Sequence, residues 1–553
     1  MKNAIGIITK AERSGFEPNL APNHRRVAIV GWLFMFGLLA YTLGAQAKAG
    51  GMPESPAPWM PQSVQAIDPY LPDSGFNNGH FVLDHFQGPN GADEVGGFAA
   101  RLSNGDIVVA GLVPDFGTVG TCGDGTNVCS IGLVRYSPAG LRQTWVDPGS
   151  YGHFQDQYVI YGEIISGHHT IRYIRDVKIS NGIIYVLVDV NDIYGNRGNV
   201  AIYAFAEAGQ PLYNQTIFGS AEPIYQGDPQ QFTGAQMVFV SQSRLIVAAT
   251  ASPNNGDPTF LSIARLTVNG QQLVVDPAWG QAYQGGPNRS VNFHAPTSPF
   301  CATNASCSSY ATYAVKAEGS ASTDIYVGGS YQFSGNDWNV FVLKISSETG
   351  AIKPEFSPTG WRSLSFNQPG STLNDRAAGL YVDQDNVYVA AQVAQKCNPG
   401  IGIAKLSNST GALDTLFGTN GKNVFGGDAG HPYCYGYFND EVPIAMSITG
   451  GRIGIVGYRH FTNQYLVGLY DPTLAVVDAS NGAILDFDTR PVTRADGTRY
   501  GDAVLSSVFS DPGSNSFIVA GNGRDAANSN TLSYITGIFV PSSADRIFAN
   551  GFD

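Results

Sequence analysis

One short pattern recurs along this chain, and a recurrence of this kind restricts the fold more than any single motif can. A turn followed by a β-branched run ending in small residues is met seven times. It reads "NGDIVVAG" (104–111), "NGIIYVLV" (181–188), "SRLIVAAT" (243–250), "TDIYVGGS" (323–330), "DNVYVAAQ" (385–392), "GRIGIVGY" (451–458) and "NSFIVAGN" (515–522). Aligned on Ile107, Ile184, Leu245, Ile325, Val387, Ile453 and Phe517, the copies lie roughly 60 to 80 residues apart, the period of a repeat architecture and not of a single sheet.

Each copy has the same surroundings. An alternating segment precedes it, as in "RDVKIS" (175–180) or "AGLYVD" (378–383), and a third follows, as in "FLSIARLT", "VFVLKISS" and "GIGIAKLS". A glycine then closes each third segment: Gly140, Gly209, Gly270, Gly350, Gly411 and Gly482. A fourth strand follows the turn. Four short strands per unit predict an all-β propeller blade, and seven copies predict seven blades, with six as the fallback if the divergent sixth copy is not one. The last unit stops at "LSYITGIFV" (532–540) without its fourth strand, whereas "SGFNNGHFVLDHFQG" (74–88) resembles "LFGTNGKNVFGG" (416–427), Asn78-Gly79 matching Asn420-Gly421. An N-terminal strand is therefore expected to complete the last blade and remove its open edge.

The stretch "GALDTLFGTNGKNVF" (411–425), with "GIGIAKLSNSTGALD" and "VYVAAQ" before it, resembles the delta-60 repeat of bacterial exported β-propellers. The resemblance covers most of residues 75–540 and implies a propeller fold and export. That family has no established activity or shared catalytic residues, so it implies no catalytic or cofactor-binding residue here. The tail "IFANGFD" resembles short C-terminal tails of some exported Gram-negative proteins.

Arg25-Arg26 lead into an apolar run, "VAIVGWLFMFGLLAYTLG" (27–44), followed by Ala45-Gln46-Ala47. Those are the parts of a secretory signal, and the run is also long enough to stay as a membrane anchor. The expected organisation is a signal peptide or anchor at 1–47, a linker at 48–73, the propeller at 74–545 and a tail at 546–553. The chain carries 6 cysteines. Cys122 with Cys129 and Cys301 with Cys307 form short-range pairs, which leaves Cys397 and Cys434. None has the spacing of a zinc site, and loop-stapling disulfides fit an oxidising compartment.

The net charge is −13 with no basic stripe, which argues against nucleic acid and against anionic lipid as partners of the body. Membrane contact is expected only through the N-terminal segment, if it is retained. Arg135, Arg265, Lys344 and Lys405 share one position of the third strand. They read either as a ring of cations or, the favoured reading, as structural groups lying beside an Asp or a carbonyl of their own or the next blade. The histidines show no metal spacing: His168-His169 are adjacent, and His80, His85, His153, His294, His431 and His460 are scattered. They assign no metal ligand. Ca²⁺ is a minor alternative at the loops "CGDGTNVC" (122–129) and "NDIYGNRGN" (191–199), which Asx turns also explain. Trp145, Trp279, Trp338 and Trp361 read either as a sugar-stacking face or as packing between blades.

The leading expectation is a monomeric, secreted, periplasmic or cell-surface propeller without a cofactor. It would act as a non-catalytic binding module for a protein or glycan. The alternatives are a hydrolase or lyase with its site at the channel mouth, and a structural envelope protein.

Overall fold

The computed structural model describes residues 70–84, 95–114, 129–143, 158–161, 169–192, 198–209, 211–218, 230–253, 259–269, 272–282, 288–293, 309–316, 324–334, 337–366, 374–395, 398–427, 439–462, 468–489, 502–511, 513–524 and 532–541. They form seven antiparallel sheets arranged in a ring, a seven-bladed β-propeller. The first strands are Val95–Arg101, His169–Ser180, Gln230–Ser241, Ser309–Lys316, Arg376–Val382, Asn439–Thr449 and Ala503–Asp511. Each touches the first strand of the next blade, and the last returns to the first. Among the described residues there is no α-helix, and no helix long and apolar enough to cross a membrane.

The small residues that end each recurring run have a common cause. In all seven blades the first strand carries a β-bulge at the same register, which forces one extra residue against its partner. The bulged residues are Gly97, Arg175, Ala235, Thr312, Ala378, Ile444 and Ser506. In six blades the second strand presents Gly or Ala there: Gly111, Ala249, Gly329, Ala391, Gly457 and Gly521. A Cβ on Gly457 would collide with the Val442 carbonyl, and one on Gly521 with that of Val504. A bulge also takes a backbone N–H out of the ladder, and in blades 3 and 5 the preceding blade supplies an acceptor. Asp189 Oδ1 accepts from Gly234 N at 2.7 Å, and Ser330 Oγ from Ala377 N at 2.8 Å. Both acceptors sit one residue after the second-strand position that faces the bulge.

The fourth strand of several blades runs in two pieces separated by a tight turn. In blade 5, Leu406 bridges Leu413 directly after the Gly411 turn, and Lys422–Phe425 then pairs with the third strand. Between them the Phe417 N–H donates to the Asp414 carbonyl, and Asp414 Oδ1 accepts from Leu416 N at 3.1 Å. Blade 3 repeats this with Asp276 and Trp279, and blade 4 with Lys353 and Phe356. The aromatic of each turn is fully buried, and the turn rests on the next blade. Gly280 N donates to Thr349 O, and Gly418 N to Asn481 O. Those acceptors immediately precede the turn glycines Gly350 and Gly482. The recurrent glycine thus serves two purposes. Gly411 and Gly482 hold φ of +62° and +78°, in the left-handed region, and a Cβ on Gly411 would overlap the Phe356 carbonyl of blade 4.

Closure uses the same device. Tyr70–Pro72 and Val82–Asp84 both pair with the last strand, Leu532–Pro541, and complete blade 7. Between them Asp73 and Phe76 form the clasp turn, Phe76 is buried, and Asn77 N donates to the Ala139 carbonyl of blade 1 at 3.0 Å. Asn78 and Gly79 have φ of 56° and 79°, against 55° and 86° at Asn420 and Gly421. Asp84 accepts from Tyr136 Oη at 2.7 Å and from Arg142 Nη1 at 2.9 and 3.0 Å, which binds the closing strand to blade 1. The closing segment takes in Tyr70–Pro72, ahead of the boundary expected at residue 74.

Candidate functional site

The four recurring cations are paired within their blades, and Arg265 and Lys344 also reach the next blade. Arg265 donates to Asp276 Oδ2 at 2.6 Å and, from Nη1, to the Ser347 and Glu348 carbonyls of blade 4 at 2.8 Å. Lys405 pairs with Asp414 at 3.0 Å, and Arg135 with Asp106 at 3.0 Å. Lys344 pairs with Asp324 at 3.4 Å and donates to the Asn408 carbonyl of blade 5 at 3.3 Å. Blade 4 carries Lys353 where the described clasps of blades 3, 5 and 7 carry Asp, and its cation pairs with Asp324 as Arg135 pairs with Asp106. The structural reading of these residues holds, because each charge is matched by a carboxylate of its own blade.

The first strands bring a different set of groups to the end of the blades where the longer connections leave. The position three residues before the bulge holds Arg172, Phe232, Ser309, Asp375, Glu441 and Ala503 in blades 2 to 7. In blades 5 and 6 it is a carboxyl, and both are buried, Asp375 at 1% exposure and Glu441 at 2%. Asp375 Oδ2 accepts from Phe366 N at 2.6 Å, and the Ala394 N–H also favours its ionised form. Lys422 Nζ donates to the Ser365 carbonyl at 2.5 Å, so Asp375 and Lys422 hold the two ends of one peptide group leaving blade 4. Burial pushes the Asp375 carboxyl up to about 6, and burial also lowers the Lys422 ammonium.

Glu441 accepts from Arg459 Nε through Oε1, and its Oε2 has no partner. Burial outweighs the guanidinium and pushes this carboxyl up to about 7. Glu441 N donates to the Pro399 carbonyl of blade 5 at 3.1 Å. The neighbouring row of blade 6 aligns Asp440, His460 and Tyr470 across three strands. His460 Nδ1 lies 3.8 Å from Asp440 Oδ2, and its ring stacks on Tyr470 at 4.7 Å. Adjacent residues of a strand point to opposite faces, so these two rows do not converge.

The other singled-out residues fall as follows. Trp279 is buried and donates Nε1 to Ser347 O at 2.8 Å, Trp361 packs edge-on against Tyr331, and Trp338 is covered by the Arg376 guanidinium at 3.7 Å. These three tryptophans pack within or between blades. Cys129 opens the third strand of blade 1, buried and disulfide-bonded. Cys122, Cys301, Cys307, Cys397 and Cys434 lie outside the described residues, as do Trp145, His85, His153, His168, His294 and His431. His80 follows the closing turn. Among the described residues no group of three or more His, Cys, Asp or Glu could hold a metal.

No protein-family model and no curated protein matches the chain. Solved structures similar to it include an α-L-arabinanase of Penicillium chrysogenum complexed with arabinobiose, at 10% identity and TM-score 0.37, covering 83% of this chain and 97% of that one. A PL25 ulvan lyase matches at 12% identity and TM-score 0.44, covering 85% and 99%. The β-propeller domain of the trilobed protease of Pyrococcus furiosus matches at 8% and 0.35, covering 80% and 93%. At these scores the likeness carries nothing about substrate or activity.

Proposed function

We propose that this chain is an exported propeller of the delta-60 repeat kind that acts as a binding module for a protein or glycan outside the cytoplasm. The supporting observation is how its recurring polar groups are used. The repeated cations and clasp aspartates pair within their blades, and Arg265, Lys344 and the bulge acceptors Asp189 and Ser330 also fasten one blade to the next. At the clasp end the chain turns in tight, glycine-locked hairpins such as Asn181-Gly182 and Gly450-Gly451. At the opposite end the strands are joined by longer connections, such as those from Phe218 to Gln230, Phe425 to Asn439 and Thr489 to Ala503. Variable segments on a rigid ring are where recognition is ordinarily placed. The apolar run before Ala45-Gln46-Ala47 and the even cysteine count support export, with Cys122–Cys129 and Cys301–Cys307 as staples and Cys397 pairing with Cys434. A ring closed by its own N-terminal segment supports a monomer.

The test is to present the purified chain to glycan and extracellular-protein arrays, followed by exchange of the 428–438 and 490–501 segments for short Gly/Ser linkers. Saturable binding lost on exchange supports the reading, and binding that persists in both exchanged chains contradicts it. A second reading, a hydrolase or lyase at the channel mouth, is favoured by Glu441 alone, a carboxyl that can hold a proton near neutral pH. Polysaccharide turnover abolished in E441Q would select it.

A further inference from the structure

Blade 5 is bounded on both sides by a buried carboxyl at the same register of the innermost strand. Asp375 lies in its junction with blade 4 and Glu441 in the junction with blade 6. One Glu441 oxygen is hydrogen-bonded and the other has no donor, while Asp375 is met by the Phe366 and Ala394 amides. We infer that these two carboxyls act as proton-dependent latches, so that the seams on either side of blade 5 are tight when protonated and loosen when ionised. This goes beyond the binding role and does not rest on it.

The chemistry follows from what surrounds each group. Around Glu441 the charged neighbours are Arg459 on the second strand, Asp471 beyond it on the third, and Asp440 beside it. Among the described residues of blade 5, the Pro399 carbonyl accepts from the Glu441 N–H, and an added Cβ at Gly426 would lie 2.9 Å from Glu441 Cγ. Arg459 serves one oxygen and lies over the Phe487 ring, while Asp440 opposes ionisation. Around Asp375 burial is the largest influence and opposes ionisation, as does Asp337; the Phe366 and Ala394 amides favour it, and so does Lys422, which also donates to Ser365. An ionised carboxylate buried in such a seam is costly. Both carboxyls sit above their ordinary values of 3.8 and 4.5, at about 6 and about 7. Their contribution is therefore complete below the unfolded values and is lost as pH rises through the folded ones.

From those values, raising pH from about 5 to about 7.5 weakens the Glu441 seam roughly 50-fold and the Asp375 seam roughly 10-fold. Hydrogen exchange on the full chain, corrected for intrinsic rates, reads this as the opening equilibrium of Asn386–Val393 and Arg452–Thr462. The inference expects opening to rise by those factors in the wild type. E441Q should flatten the response in the blade 6 peptide, and D375N that in the blade 5 peptide. A wild type whose corrected protection is unchanged over this range overturns the inference. So does E441Q or D375N that keeps the full wild-type response. If one variant fails to fold, the other reports on its own seam independently, and the wild-type profile stands as a test by itself.

Discussion

Replacing Gly411 by alanine tests the clasp that joins blades 4 and 5. Gly411 holds φ of +62°, and a Cβ there would overlap the Phe356 carbonyl and lie 2.8 Å from Arg362 Cγ. A left-handed backbone costs alanine about 1–2 kcal/mol. Forcing the Phe356 carbonyl aside adds the cost of overpacking, about 1–3 kcal/mol. Gly182 is the matched control, with φ of +71° and nothing within 4 Å of its Cβ position. G182A should therefore lose only the backbone term, about 1–2 kcal/mol. The comparison is read from urea denaturation midpoints of the two variants beside the wild type. G411A should be the less stable by about 1–3 kcal/mol. Equal losses would mean that the glycine is needed for its φ alone and that no clasp presses on it.

Other expectations follow from the same contacts. F417A should cost about 3–5 kcal/mol, because its ring is fully buried, whereas L416A at 84% exposure should stay within about 0.5 kcal/mol; thermal unfolding separates them. R265A removes the donor to Asp276 Oδ2 and to the Glu348 carbonyl, while the Ser347 carbonyl keeps Trp279 Nε1, and should cost about 1–3 kcal/mol in the same assay. S330A should cost about 1–3 kcal/mol, because the Ala377 N–H freed by the bulge loses its acceptor, as faster exchange of that amide would show. Acid should act on the clasps in the sense opposite to the latches. The hydrogen bond from Lys405 holds Asp414 below its usual range, so this contribution is present above the unfolded value and lost as pH falls through the folded one. D414N should remove that acid-side loss, measured as the pH dependence of the denaturation midpoint.

Much of this architecture is legible in the sequence because it repeats. The small residues after each β-branched run mark the bulge, and Asn78-Gly79 matches Asn420-Gly421 because both pairs adopt the same left-handed turn. The role of the third-strand cations was open to reading from Arg135, Arg265, Lys344 and Lys405, since a charge repeated beside an Asp invites pairing. The two-piece fourth strand is less legible. Its first piece is a single bridge in blades 4 and 5, too short to impose a period on the chain. Asp375 and Glu441 give no repeated signal, because the same position holds Phe232, Ser309 and Ala503 in other blades. They stand out only once their burial is known. A sugar-stacking face of tryptophans was a fair alternative from sequence, but Trp279 aligns with Phe356 and Phe417 as a clasp aromatic and is spent in a junction.

The central claim is that the first strand of the ring closes its last blade. Leu71 faces Val540 across the closing pair, where cross-strand Cβ atoms lie about 4.5–5.5 Å apart. With L71C and V540C introduced together, peptide mapping of the oxidised chain under non-reducing conditions should recover a link between positions 71 and 540. Its absence in folded, monomeric protein, with either cysteine left free or linked elsewhere, would contradict the closure.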